Sequence, residues 1–239
     1  MDLAFLVRSL AERAVPEPGT GRLRLPTERD LGASLEVSRG ALREQLSMLE
    51  ALGFLERTQG RGSYLRVPDA GFLQLSFDLS QQLGQLTRGQ FGAAREMLEI
   101  SVAEAAAGLA TRADVAELRA LVDEMVRAAN AGEDHRALEA DVEFHRRLFA
   151  VVDNPIFTMM RNGLAHVLRD AVVDRRRLAA EREPATAGTA RPSDAVHHEI
   201  VDALAAGDGD AARTAMRRHF LVWRDATDTR EEPTDGKLP

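Results

Sequence analysis

Apolar residues recur at intervals of three and four along most of this chain, the spacing of one face of an α-helix. Leu3, Leu6, Val7, Leu10 and Ala14 form the first such stripe, so residues 2–14 are expected to be helical. Pro16, Pro18, Gly19 and Gly21 then read as a loop. Residues 26–66 carry a more specific pattern. Thr27 is placed to cap a short helix, with Asp30 three residues on to answer it, and Leu31 and Leu35 give that helix its buried stripe. Glu36 and Val37 make a turn, and Ser38 caps a second helix. Ala41, Leu42, Leu46, Leu49 and Leu52 put one side of that helix inward, and Gly53 ends it. Residues 54–57 and 63–66 read as two short strands around Thr58-Gln59-Gly60-Arg61-Gly62.

From about residue 72 the pattern is purely helical. The expected helices run over 72–85, 87–109, 111–130, 133–152, 154–182, 193–206 and 210–227. Their caps are Thr87 with Gln90, Thr111, Asn154 followed by Pro155, Ser193 and Asp210. Residues 184–192 read as a small-residue loop. The tail 228–239 is polar and is expected to be disordered. Together these elements predict a mainly α protein: an N-terminal winged helix-turn-helix over 1–67, a linker at 68–71, and a C-terminal all-α bundle of about seven helices over 72–227.

A helix delivered by a tight turn, with arginines at its leading end, is what reading the major groove requires. Arg39 and Arg43 are four apart and share one side of the second motif helix, and an arginine fork matches guanine O6 and N7. Arg61 at the hairpin tip can reach phosphate or the minor groove, and Gly60 and Gly62 permit close approach. The competing reading is a helical hairpin with a β-ribbon used for protein contacts.

Charge changes the picture only when it is divided. The chain has a net charge of −7, which looks wrong for a DNA binder. Residues 1–67, however, hold ten arginines against nine acidic residues, a balance of +1, and the remainder holds 21 basic against 29 acidic, a balance of −8. The acidic part need not touch DNA, and binding is expected to rest on a local patch used in two copies. Lys237 is the only lysine, so the positive charge is almost all guanidinium, suited to bases, phosphates and carboxylates. The absence of cysteine excludes disulfides and thiolate metal sites. No secretory signal and no apolar run long enough to span a bilayer are evident, so a cytoplasmic protein with no membrane partner is expected.

Some ionisable residues fall on apolar stripes. Asp141 and His145 lie one turn apart within the stripe of Leu138, Val142, Leu148, Phe149 and Val152. His197 joins Ile200, Val201 and Leu204, whereas His198 goes with Asp194 and Asp202 to the polar side. His219 sits amid Ala212, Ala215, Met216, Val222 and Trp223. Helices 193–206 and 210–227 are expected to form an antiparallel hairpin. His197 precedes Gly207 by ten residues and His219 follows Asp210 by nine, so the two are level across it. Three imidazoles and one carboxylate can then meet at one interior point, a set suited to a divalent metal, Zn²⁺ first and Ni²⁺ or Mn²⁺ as alternatives. The other reading is a group of separately satisfied core histidines. Arg95 lies on the stripe of Phe91, Leu98, Val102, Ala105 and Leu109 and needs an anionic partner, either a protein carboxylate or the carboxylate of a ligand.

The stretch LPTERDLGASLEVSRGALREQLSMLEALGFLERTQGRGSYL resembles, over about forty residues without a gap, the DNA-binding domain of the GntR superfamily of bacterial transcription regulators. The resemblance implies DNA contact by Arg29 from the first motif helix, by Arg39, Gly40 and Arg43 from the recognition helix, and by Gln59 and Gly60 at the wing tip. Gly40-Ala41 stands where many members carry Thr-Pro, so one hydroxyl contact to DNA is missing. Residues 72–227, with the inward Asp-x-x-x-His and two later histidines, resemble the FCD effector domain of the FadR subfamily. That resemblance implies Asp141, His145, His197 and His219 as metal ligands and Arg95 as a partner of the effector's carboxylate. It also implies the seven-helix form of the domain and small organic acids, rather than acyl-CoA, as effectors.

The expected function is therefore a homodimeric transcription regulator, not an enzyme, whose two heads read half-sites of a pseudo-palindromic double-stranded operator. A small carboxylate bound beside the metal and Arg95 is expected to release it from DNA and derepress its targets. A metal-dependent hydrolase is the first alternative, weakened by the lack of a separate inward general base or nucleophile motif. A regulator with a purely structural metal and a different effector is the second.

Overall fold

A computed structural model describes residues 2–58, 60–182 and 190–227. The chain divides into two compact units, one up to Leu79 and the other from Ser80. In the first, α1 (Leu3–Arg13) is capped by the Asp2 carboxylate and buries Leu6 and Leu10. Helix α2 (Glu28–Ser34) starts at Thr27, whose hydroxyl accepts from the Asp30 amide, and α3 (Arg39–Ala51) starts at Ser38, which accepts from the Ala41 amide. Such caps each contribute on the order of 1 kcal/mol. The turn between them contains Glu36 in a left-handed conformation (φ 55°). Leu31, Leu42, Leu46 and Leu49 join Leu6 and Leu10 in one core, so α1 buttresses the helix-turn-helix.

The wing is β3 (Leu55–Thr58) paired antiparallel with β4 (Gly62–Leu65). Sequence spacing predicts a plain loop over residues 16–21, but the segment is a hairpin. β1 (Val15–Pro16) pairs with β2 (Leu23–Arg24), and β2 pairs with β4, giving sheet order β1-β2-β4-β3. Two-residue strands containing a proline show no alternation to detect. Side chains complete the attachment: the Tyr64 hydroxyl donates to Glu17 Oε1 (2.9 Å), and Arg22 lies over the Tyr64 ring.

Helix α4 (Gly71–Gln82) buries none of its residues. The following helices are α5 (Arg88–Ala107), α6 (Arg112–Asn130), α7 (Asp134–Val152), α8 (Pro155–Val167), α9 (Arg169–Arg182), α10 (Pro192–Ala206) and α11 (Gly209–Thr227). Their core runs through Val102, Val122, Met125, Phe144, Phe149, Ile200 and Met216. Reciprocal capping boxes at Thr87–Gln90 and Thr111–Asp114 start α5 and α6. The rod expected over 154–182 is two helices, interrupted at the buried Leu168 (φ −93°, ψ 2°). Ser193 lies inside α10 rather than at its cap, with Pro192 in the first turn, and Asp208 caps α11 in place of Asp210 by accepting from the Ala211 amide. Gly207 (φ 68°) takes the left-handed position that closes α10. Gln59, most of the expected 184–192 loop and the expected disordered tail at 228–239 lie outside the described residues. Among the described residues no helix is long and apolar enough to cross a membrane.

The rotation of α3 is open to a direct check. Leu46 is fully buried and Met48, two residues on, is half exposed. Leu46→Ala should cost about 2–5 kcal/mol, against under about 1 for Met48→Ala. Urea denaturation of both variants measures the difference, and equal losses would contradict the assigned packing.

Candidate metal centre and nucleic-acid interface

Helical spacing stacks Asp141 and His145 on the inner side of α7. His197 comes from α10 and His219 from α11, and all four are buried. One donor atom from each lies within 4.8 Å of the others. His197 Nε2 is 3.1 Å and His145 Nε2 3.6 Å from Asp141 Oδ1. The His197 and His219 rings are 4.5 Å apart between centroids, so the level placement expected from the turn holds.

Several atoms at this point have no hydrogen-bond partner: Asp141 Oδ1, His197 Nε2, His145 Nε2 and both ring nitrogens of His219. Buried polar atoms without partners cost roughly 1–3 kcal/mol each, so their convergence fits a bound cation. His197 Nδ1–H donates to the Asp194 carbonyl (3.0 Å), which leaves its Nε2 as the electron-pair donor, and His145 Nδ1 faces Glu99 Oε2 at 2.7 Å on the outward side. The donor set of three nitrogens and one oxygen suits Zn²⁺, Ni²⁺ or Mn²⁺.

The surrounding charges extend beyond those the stripes point to. Glu99, four residues after Arg95 on α5, is buried, and its Oε1 accepts from Arg95 Nε at 2.6 Å. It is the protein carboxylate that Arg95 requires. The signal is present in the sequence, because Glu99 is one helical turn from Arg95 and shares its inward side. Burial alone would raise its pKa, but Arg95 and His145 outweigh it and bring it down to about 2. Asp141 is likewise held well below the usual carboxylate range, burial being outweighed by Arg176, then by His145 and His197. Arg176 on α9 reaches both Asp141 (3.5 Å) and Asp194 (3.1 Å). Periodicity assigns Asp194 to the polar side of its helix with His198. It is fully buried instead, because Arg176 arrives over that side, and its pKa is raised by burial despite the arginine. His219 has no anion within hydrogen-bonding reach, and burial followed by the neighbouring His197 and His145 pushes its pKa well down.

A cavity of about 590 Å³ opens beside this network, walled by α5, α9, α11 and Leu168. Arg95 lines it, as do Arg175 and Phe220, but none of the four donors does. Arg95 therefore faces the cavity and is joined through Glu99 to His145.

In the N-terminal unit, Arg39 and Gly40 are exposed in the first turn of α3, with Arg43 one turn on. Arg29 and Arg43 are largely free of the protein surface, each with one long carboxylate contact: Arg29 Nε to Asp30 at 3.4 Å and Arg43 Nε to Glu28 at 3.3 Å. Exposed pairs of this kind contribute little and yield readily to phosphate or base. Gly60 and Arg61 are exposed at the wing tip. Arg57 serves the scaffold instead, tied to Glu50, Ser47 and Glu28 so that the wing is clamped to α3.

Comparison with known proteins agrees with both units. Residues 18–65 match the family of bacterial regulatory proteins named gntR, and residues 90–221 match the FCD domain. The chain is 31% identical to the HTH-type transcriptional regulator YcbG of Bacillus subtilis, covering 92% of this chain and 89% of that one. It is 29% identical to LutR of the same organism, covering 82% and 88%. A solved GntR structure from Streptococcus agalactiae superposes with a TM-score of 0.63 at 27% identity, covering 94% of this chain and 97% of that one. With a gntR-type reading head and an FCD domain in one polypeptide, the chain belongs to the FCD-bearing, FadR-like branch of the GntR family of transcriptional regulators.

Proposed function

We propose that this regulator works as a homodimer that holds a divalent metal, senses a small organic acid and leaves its operator when the acid binds. The observation that carries the reading is the run from the cavity to the donors: Arg95 at the cavity wall, Glu99 at 2.6 Å from it, and His145 at 2.7 Å from Glu99. A carboxylate entering the cavity meets Arg95 and competes with Glu99 for it, which alters the charge facing His145. Asp141, His145, His197 and His219 would hold the metal, with Zn²⁺ the best match to the donors. When bound, the ion would supply a fixed positive charge and a Lewis-acidic docking point for an oxygen ligand. To regulate, the acid must bind the DNA-competent and DNA-incompetent states with different affinity.

Arg29, Arg39, Gly40 and Arg43, with Gly60 and Arg61 of the wing, make the DNA contacts in this reading, and Gln59 belongs with them by its place in the sequence. Self-association is supported by α4, where Phe72, Leu75 and Leu79 leave an exposed apolar row at helical spacing. One observation favours a second reading. None of the donors lines the cavity, so the metal would brace α7, α10 and α11 while the acid meets Arg95 alone. Chelation separates the two: acid-dependent operator release in folded, metal-free protein supports the bracing role, and its loss supports direct participation.

Three outcomes are expected. Arg39→Ala and Arg43→Ala should each weaken binding to an operator selected from random duplexes by about tenfold or more, with unchanged melting temperature. Wild-type affinity in both would remove α3 from the groove. His197→Ala should lose the metal by elemental analysis, whereas His198→Ala, on a half-exposed ring, should retain it.

The third outcome concerns pH in metal-free protein. The His219 pKa is lowered on folding, so the unfolded chain takes the proton first, and stability drops as pH falls below about 6.5, by up to about 1.4 kcal/mol per unit. His145 opposes this. Burial lowers its pKa, but Glu99 and Asp141 raise it further, so its contribution is present below about 6.5 and is lost as pH rises through its folded value. The comparison is therefore between wild type and His219→Leu. Melting temperatures from pH 7.5 to 5 should fall more steeply for wild type, and parallel curves would contradict the assignment.

A further inference from the structure

Four arginines line the 590 Å³ cavity (Arg88, Arg95, Arg175 and Arg224) against two carboxylates, Glu96 and Asp174, and Glu96 is paired with Arg224 at 3.5 Å, so cationic lining is in excess. The cavity's volume is in the range of small-molecule sites, and its middle is apolar, with Leu168, Val172, Leu178 and Phe220. Charge gathers at two ends. At the inner end Arg95 and Arg175 approach from α5 and α9. At the outer end stands Arg88, exposed in the first turn of α5. Arg88 and Arg95 are seven residues apart on one side of a helix, a separation of about 10 Å.

The inner carboxylates are already committed. Glu99 answers Arg95, and Asp141 and Asp194 answer Arg176. Among the described residues no carboxylate lies within ion-pair distance of Arg175, which instead stands over the Trp223 ring at 5.5 Å. Burial, and then the charge of Arg95, lowers the Arg175 pKa to about 10, the condition of a cation short of an anion. A half-buried guanidinium with no carboxylate in ion-pair contact gains from an anionic ligand.

The floor of the cavity is unusually bare. Gly89, Gly92 and Ala93 of α5 line it. A Cβ added at Gly92 would meet no atom within 4 Å. Glycine inside a helix costs roughly 1 kcal/mol relative to alanine. Two of them in the first turns of α5 leave a channel between Arg95 and Arg88.

We propose that this cavity recognises a two-headed acid, with one anionic group between Arg95 and Arg175, a second at Arg88, and a short apolar chain lying along Gly92 against Leu168 and Phe220. The inference rests on the acid-sensor reading and narrows its ligand class from small acids to dianions. A monoacid fills only the inner end.

The test is titration calorimetry on full-length, metal-loaded protein with the α,ω-dicarboxylates from succinate to suberate and the matching monocarboxylates, alongside operator binding. Dicarboxylate affinity should rise with chain length and exceed that of the matching monoacid at least tenfold. Arg88→Gln should reduce dicarboxylates to monoacid affinity and leave monoacids unchanged. Gly92→Leu should abolish binding of both while retaining the metal and the melting temperature, since leucine favours the helix and enters open space. Equal affinity for mono- and diacids, or an Arg88→Gln variant with wild-type preference, would overturn the second anchor and leave the acid-sensor reading standing. Binding unaffected by Gly92→Leu would place the ligand elsewhere and overturn the proposal. Tight dicarboxylate binding with no change in operator affinity would uphold the site and sink the sensor reading. No binding by any acid would sink both.

Discussion

Asp141 is a carboxylate taken out of water at the centre of a helical bundle, a step that costs several kcal/mol unless it is compensated. Its compensation comes from two other helices, through Arg176 on α9 and His197 on α10, with His145 on its own helix. Those groups can reach it only if α7, α9 and α10 converge at one level, and α11 brings His219 to the same point. The apolar neighbours are arranged to the same end. Phe144 presents its edge to His145 and His197, and Phe220 packs edge-on against His219. Holding the imidazoles at fixed angles in this way reduces what a metal must do to organise its ligands. A cation at the unpartnered donor atoms would complete the compensation, and folding and metal binding would then be coupled through one charge.

A chain of contacts runs through that point, alternating in sign when His145 is protonated. Arg95 meets Glu99, Glu99 meets His145, His145 meets Asp141, and Asp141 meets Arg176, which in turn meets Asp194. Each member is close to groups of the opposite sign, so displacing any one changes the field at the next. Arg95 is the member that also faces the cavity. A signal arriving there as a negative charge therefore has a short, physically connected route to the metal donors. Arg175 stands outside the alternation and over the Trp223 ring at 5.5 Å.

Much of this is legible in the sequence, and the limits have specific causes. Asp141, His145, His197 and His219 stand out because each interrupts an apolar stripe, and counting residues from the turn at 207–209 places two of them level. The stripes themselves are less accurate: Val142 and Leu109 are exposed, and α5 packs on Val102, Ala103, Ala106 and Ala107. Alanine-rich faces carry weak periodicity, which blurs the rotation of α5 and with it the inward position of Glu99. Asp194 is misplaced because the periodicity of one helix says nothing about an arginine arriving from another. Arg176 cannot be singled out from Arg175-Arg176-Arg177, since α9 is charged all round and has no stripe. The winged helix reads more completely because caps and turn residues are local signals. Only the two-residue strands β1 and β2 escape, because they depend on pairing with each other and, through β2, with β4.

The two units divide the electrostatic work in opposite ways. The reading head keeps Arg29, Arg39, Arg43 and Arg61 exposed, where water screens them and exchange with phosphate or base costs little. The bundle buries Arg176 and half-buries Arg95 and Arg175, where the same guanidinium is expensive and is best matched by a definite anion. Arginine serves both settings because it stays charged when buried and its planar fork imposes geometry on a carboxylate as well as on a base. Lysine, more strongly hydrated and readily neutralised on burial, would suit neither the interior nor a bidentate contact. The near-absence of lysine from this chain thus fits both settings of the guanidinium, the exposed forks of the winged helix and the inward ones matched to carboxylates in the bundle.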